Sequence, residues 1–129
     1  MSVPLLVSVI DDDPSLSAAL VGLLRSFGYR ATAHGSAEDF LASADLGGTD
    51  CVVTDIQMPG LSGIDLRLAL AGRRPDLPVI LLTARTERPL LERAMASRPF
   101  RLLRKPFDAD ELAGCLVEAI GPADGQAAP

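Results

Sequence analysis

Apolar and polar positions fall along the chain in blocks. Leu5-Leu6-Val7-Ser8-Val9-Ile10, Cys51-Val52-Val53-Thr54 and Pro78-Val79-Ile80-Leu81-Leu82 are short, nearly unbroken apolar runs. Such runs predict strands buried on both faces, as in a parallel sheet. Tyr29 to Ala33 and Phe100 to Leu103 are weaker strand patterns. Between the runs the period lengthens. Leu16, Leu20, Leu23, Leu24 and Phe27 recur at helical spacing, with Asp13 as cap, Pro14 at the first position and Gly28 behind. Ser36 with Asp39 resembles a capping box and opens a short helix to about Ala42, followed by a loop from Ala44 to Thr49. Ser62 opens a third helix with Ile64, Leu66, Leu68 and Leu70, which stops at Gly72 before Pro75. Pro89 starts a fourth, running to about Ser97. Asp108 caps a fifth that carries Leu112, Cys115, Leu116, Ala119 and Ile120 on one face and closes at Gly121-Pro122.

Strand and helix therefore alternate five times. This order predicts a doubly wound α/β domain over residues 1–120, with a five-stranded parallel sheet and five helices, (βα)5 in plan. Residues 121–129 have linker composition and no periodicity.

The length, 129 residues, suits one domain, and 48% hydrophobic with 22% charged residues describes neither a disordered chain nor a membrane protein. A net charge of −5 argues against a broad electrostatic nucleic-acid footprint. Cys51 and Cys115, with the single His34, fall short of a four-ligand zinc site; both cysteines lie in apolar patterns and read as buried free thiols. The apolar N-terminal run is short, lacks a basic flank and leads straight into Asp11-Asp12-Asp13, so no signal peptide or membrane span is expected and the expected compartment is cytoplasmic.

Open α/β sheets bind ligands beyond the carboxyl ends of their strands. The first strand delivers Asp11, Asp12 and Asp13 there, the third Asp55, the fourth Thr83, and Lys105-Pro106 follow the fifth. Neither a GxxxxGK[ST] loop nor a GxGxxG fingerprint follows the first strand. Asp11, Asp12 and Asp55 could not all stay ionised together without a counter-charge, and an oxygen-only site with few protein ligands suits Mg²⁺. Lys105 would add a second positive charge. Asp55 could then act as a nucleophile toward phosphorus, forming an aspartyl-phosphate, with Thr83 bonding a phosphoryl oxygen. Taken singly, each residue has a plainer role: Asp13 caps a helix, Asp11 and Asp12 solvate a loop, Asp55 precedes a turn. The joint arrangement carries the reading.

At these residues the chain resembles the response-regulator receiver domain, CheY-like in fold, over about residues 5 to 120. The marks are Val9-Ile10-Asp11-Asp12-Asp13-Pro14, Val53-Thr54-Asp55-Ile56-Gln57-Met58-Pro59-Gly60-Leu61-Ser62-Gly63, Leu82-Thr83-Ala84 and Lys105-Pro106-Phe107. Their order and spacing are most similar to the FixJ-like group. The resemblance implies Asp55 as phosphoacceptor and Asp12, Asp55 and the Gln57 carbonyl as direct Mg²⁺ ligands, with Asp11 acting mainly through water. It implies Thr83 and Lys105 as phosphoryl contacts, a cis bond to Pro106, and a sensor histidine kinase as phosphoryl donor. It gives Gln57 and Arg85 a part in aspartyl-phosphate lifetime, and the small Ala84 leaves room for the phosphoryl group.

Two positions depart from the pattern. Leu102 stands where the family carries an aromatic switch residue, and Phe100 is expected on the same strand face one step deeper. Ser97-Arg98-Pro99 replaces the usual small residues. Arg85, Arg88, Arg93, Arg98, Arg101 and Arg104 gather around the fourth helix and fifth strand, and Asp108, Asp110, Glu111 and Glu118 on the last helix. They read either as a solvated surface or as a face for a second copy or an effector. The alternative to a phosphorylation switch is a phosphorylation-independent interaction module, favoured by Leu102. A phosphohydrolase ranks last, because Gln57 stands where its general acid–base would be.

Overall fold

The computed structural model describes residues 3–123. The elements run β1 (Leu6–Ile10), α1 (Pro14–Ser26), β2 (Arg30–His34), α2 (Ala37–Ala42), α3 (Asp45–Gly48), β3 (Cys51–Asp55), α4 (Gly63–Arg73), β4 (Val79–Thr83), α5 (Arg88–Ala96), β5 (Arg101–Arg104) and α6 (Ala109–Ile120). The five strands form one sheet in the order β2-β1-β3-β4-β5, and every neighbouring pair is parallel. The chain thus starts near the middle, steps out to β2, and returns past β1 to β3. That reversal creates a switch point between β1 and β3, where the crossovers leave in opposite directions.

Side chains alternate across the sheet and so build two cores. Ile10, Val52, Val79 and Leu81 face Phe40 of α2, Leu66 and Leu70 of α4, and Leu90 and Ala94 of α5. Val7, Val9, Val53, Ile80 and Leu82 face Leu24 of α1 and Leu112 and Leu116 of α6. All five residues of β1 and of β4 are buried, as are the first four of β3, which explains their unbroken apolar runs. The edge strands β2 and β5 are half solvated, and their patterns are correspondingly weaker.

The helix starts obey local chemistry. The Asp13 carboxylate accepts from the Ser15 and Leu16 amides, with Pro14 behind it. Ser36 Oγ accepts from the Asp39 amide. Closed capping boxes join Ser62 with Asp65 and Asp108 with Glu111.

Besides one-residue shifts at the ends of several strands and of α5, two differences from the sequence reading concern the helices. Residues 45–48 form a one-turn helix, not a loop, so the helices number six among the described residues. Arg74, at the end of α4, holds that turn: its Nη1 donates to the carbonyls of Leu46 (2.8 Å) and Thr49 (3.1 Å). The second difference is that α4 runs through Gly72 to Arg73.

Gly121–Ala123 lie against the sheet, since the Leu5 amide donates to Ala123 O at 2.6 Å and Tyr29 Oη to Gly121 O at 2.8 Å. Positions 124–129 of the expected linker lie outside the described residues. Cys51 and Cys115 are buried free thiols, and burial pushes the Cys51 thiol far above the usual range. Among the described residues no helix is long and apolar enough to cross a membrane.

Candidate functional site

The register of the two central strands decides what meets at the switch point. Ile10 pairs with Thr54, so the next residues, Asp11 and Asp55, stand side by side at the edge of the sheet. Asp12 joins them, and one carboxylate oxygen from each of Asp11, Asp12 and Asp55 lies within 4.8 Å of the other two. Asp11 is buried, Asp55 half-buried and Asp12 exposed. Asp11 Oδ1 accepts from the Asp13 amide at 2.9 Å, which turns the chain out of β1. Its other oxygen, Oδ2, is buried without a partner. Burial raises the pKa of the Asp11 carboxyl. The Asp55 and Asp12 charges add to the rise, and the Asp13 amide and Lys105 oppose it.

Lys105 reaches this cluster from the far side of β4. Its Nζ lies 3.5 Å from Asp55 Oδ2 with both side chains largely shielded, and the Lys105–Pro106 peptide is cis, as the resemblance implies. The Lys105 amide donates to Thr83 O at 2.8 Å, which ties the lysine to the end of β4. Thr83 is fully buried, and its Oγ1 accepts from the Arg85 amide at 3.0 Å, leaving the hydroxyl proton to donate. Gln57 is exposed just past β3, and its amide points at Asp55 Oδ1 at 3.4 Å.

Two further residues support the site, Gly63 and Glu38. A Cβ on Gly63 would sit 2.4 Å from the Asp55 carbonyl oxygen, so only glycine lets α4 start against the end of β3. Glu38, on α2, accepts the Leu61 amide at 3.2 Å and lies against Gly60, whose φ is +75°. That carboxylate fixes the loop following Asp55 from a helix 23 residues earlier.

The structure also resolves the face of the sheet beyond Thr83. Leu102 is half-buried against the core under α5, opposite Leu81, and shares that face with Thr83. Phe100 does not share it: the ring packs with Leu103 on the α1–α6 core. It precedes the paired part of β5, so strand alternation does not reach it, and the Arg101 guanidinium sits 5.0 Å above its ring. Of the clustered arginines, Arg85 pairs with Glu87, Arg88 with Glu92 and Arg101 with Glu118. Arg93, Arg98 and Arg104 have no ion pair among the described residues.

Three mutually repelling carboxylates, one with a buried unpartnered oxygen, make an oxygen-only donor set that fits a hard divalent cation. With an ammonium across from them, the same edge suits an anionic group carrying several oxygens.

The fold and site define a class, a flavodoxin-like α/β domain with an acidic switch point. The chain belongs to the response regulator receiver domain family of two-component signalling, which it matches over residues 7–116. It is 38% identical over 114 residues to nodulation protein W of Bradyrhizobium diazoefficiens, covering 88% of this chain and 50% of that protein. It is 36% identical to the transcriptional regulatory protein FixJ of Azorhizobium caulinodans, covering 89% and 54%. The chain therefore spans about half the length of these relatives. Among solved structures, a response regulator receiver domain protein from Clostridium thermocellum superposes with a TM-score of 0.84 at 30% identity, covering 90% of this chain and 94% of that one. The crystal structure of FixJ-N superposes at 0.79 with 27% identity, covering 89% and 92%.

Proposed function

We propose that this domain is a phosphorylation switch, in which Asp55 accepts a phosphoryl group from a sensor histidine kinase. The observation that carries this reading is the convergence of Asp11, Asp12, Asp55 and Lys105 on one strand edge, with an unpartnered oxygen on Asp11. Asp11 and Asp12, with Asp55 and the Gln57 carbonyl, would hold Mg²⁺, which supplies positive charge to the transferring group. An Asp55 carboxylate oxygen attacks phosphorus, a P–O bond forms, and the P–N bond to the donor imidazole breaks. Lys105 Nζ stabilises the charge on a phosphoryl oxygen, and the Thr83 hydroxyl donates to another. The buried position of Thr83 above Leu102 then makes its shift a packing event under α5. Leu102 would pass that shift on by shape, where the family's ring would swing.

The output would be read by an effector or a second copy on the face of α5, β5 and α6, in a cytoplasmic setting and with no direct nucleic-acid contact by this domain. Arg93, Arg98 and Arg104 are the charges left for such a partner, since Arg85, Arg88 and Arg101 are engaged within the chain. Intact-protein mass spectrometry after incubation with Mg²⁺ and acetyl phosphate tests the central step. One added phosphoryl group is expected, lost in Asp55→Asn and with EDTA. No addition would favour the phosphorylation-independent module.

A further inference from the structure

The end of the sheet where the strands begin carries a second polar feature, unrelated to the acidic edge. A cleft of about 260 Å³ opens there between the start of β4, the approach to β5 and the end of α6. Its walls include Arg67, Asp76, Pro78, Arg98, Phe100 and Ala119. Among the described residues only two buried side-chain polar atoms lack a hydrogen-bond partner. One is Asp11 Oδ2 at the acidic edge; the other is Nη1 of Arg67, whose side chain belongs to the lining of this cleft. A buried guanidinium nitrogen without an acceptor is costly, and the complement it lacks is an oxygen anion.

Arg98 is the second oddity. It follows Ser97, the cap residue after α5, in the left-handed region, with φ of +57°, donating its amide to Met95 O. That is the place where glycine ordinarily closes a helix, because a Cβ is strained there. Arg98 is the one non-glycine residue of positive φ among those described. Arg67 Nε donates to the Arg98 carbonyl at 3.0 Å, so the first guanidinium braces the strained residue that carries the second. The single carboxylate of the walls, Asp76, already faces Arg74 at 3.8 Å. The balance in the cleft is positive, and the remaining lining of Pro78, Phe100 and Ala119 is apolar.

We propose that this cleft is a binding site for an organic carboxylate: the Arg67 and Arg98 guanidinium groups hold the carboxylate and the Phe100 wall takes its apolar body. Planar guanidinium groups suit a two-oxygen anion, and backbone strain kept at a helix end is accounted for if the side chain is used.

Amide NMR on the 129-residue chain tests this, with benzoate and inorganic phosphate as probes. Saturable benzoate shifts at the amides of Arg67, Asp76, Leu77, Val79, Arg98 and Phe100 are expected, with weaker binding of phosphate. Arg98→Gly should melt at the same or a higher temperature, since it relieves the strain, and bind benzoate roughly tenfold or more weakly. Arg67→Lys, which keeps charge without the planar fork, should also bind less well. Shifts that are absent, that survive Arg98→Gly unchanged, or that fall only at Thr83 and Lys105 would overturn the site. Tighter binding of phosphate than benzoate would overturn the assignment to an organic carboxylate.

Discussion

The two ends of the sheet each hold one buried polar atom without a partner, and they arrive at it by opposite routes. At the carboxyl end, short strands push Asp11 and Asp55 out together, and the burial that defines β1 and β3 makes the acids repel in low dielectric. Every residue there stands within two positions of a strand terminus. At the amino end, the orphan belongs to Arg67, in the middle of α4, and its partner Arg98 sits 31 residues away. The first site is a product of sheet topology; the second depends on how two helix flanks settle against each other. Topology-built sites read from the sequence. Sites built by packing do not.

Substitutions can break or sharpen that contrast. The largest effect is expected at Lys105, which faces Asp55 with little solvent between them. Lys105→Ala should slow acetyl-phosphate labelling of Asp55 by roughly 10²–10³-fold, the usual scale for losing a preorganised charge donor. A change near wild-type rate would mean the ammonium is structural. Next comes Gly63→Ala, which forces a Cβ to within 2.4 Å of the Asp55 carbonyl oxygen. Urea unfolding should show a loss of about 1–3 kcal/mol, because backbone on both sides must move. An unchanged midpoint would show that the start of α4 is loosely held.

At the opposite end, Arg98→Gly should raise stability by about 1 kcal/mol, reversing the direction expected of a surface truncation. A loss of stability would mean the Arg98 side chain supports the fold. The smallest effect is expected at Asp11. Its carboxyl pKa is raised above the ordinary 3.8 in the folded chain, so its contribution favours folding in acid and is lost as pH rises through the raised value. Asp11→Asn should therefore stabilise the Mg²⁺-free protein at neutral pH. The gap from wild type should narrow as pH falls, and Mg²⁺ should stabilise the variant less. A gap that widens in acid would contradict the sign.

These contrasts also explain what could be read in advance. Strand–helix alternation was plain because β1, β3 and β4 are buried on both faces and carry no polar interruption beyond Ser8 and the terminal Thr54, Asp55 and Thr83. Asp13, Ser62 and Asp108 announced helix starts, since capping is a local reaction of a side chain with amides two or three residues on. The turn at 45–48 was hidden because Gly47-Gly48 argue against helix, and its support comes from Arg74 far along the chain. Phe100 falls on the opposite core from the one expected because strand alternation holds only through the paired residues of β5. The Glu38 brace on the loop after Asp55 is likewise a long-range contact with no local pattern.

The proposed switch requires an acyl phosphate on Asp55. Borohydride reduces an acyl phosphate to the alcohol, so a phosphorylated Asp55 becomes homoserine, and peptide mass spectrometry reads its position. With Mg²⁺ and acetyl phosphate, homoserine should appear at residue 55 alone and vanish when EDTA is added. Homoserine at Asp11, Asp12 or another acid, or none at all, would contradict the phosphoacceptor reading.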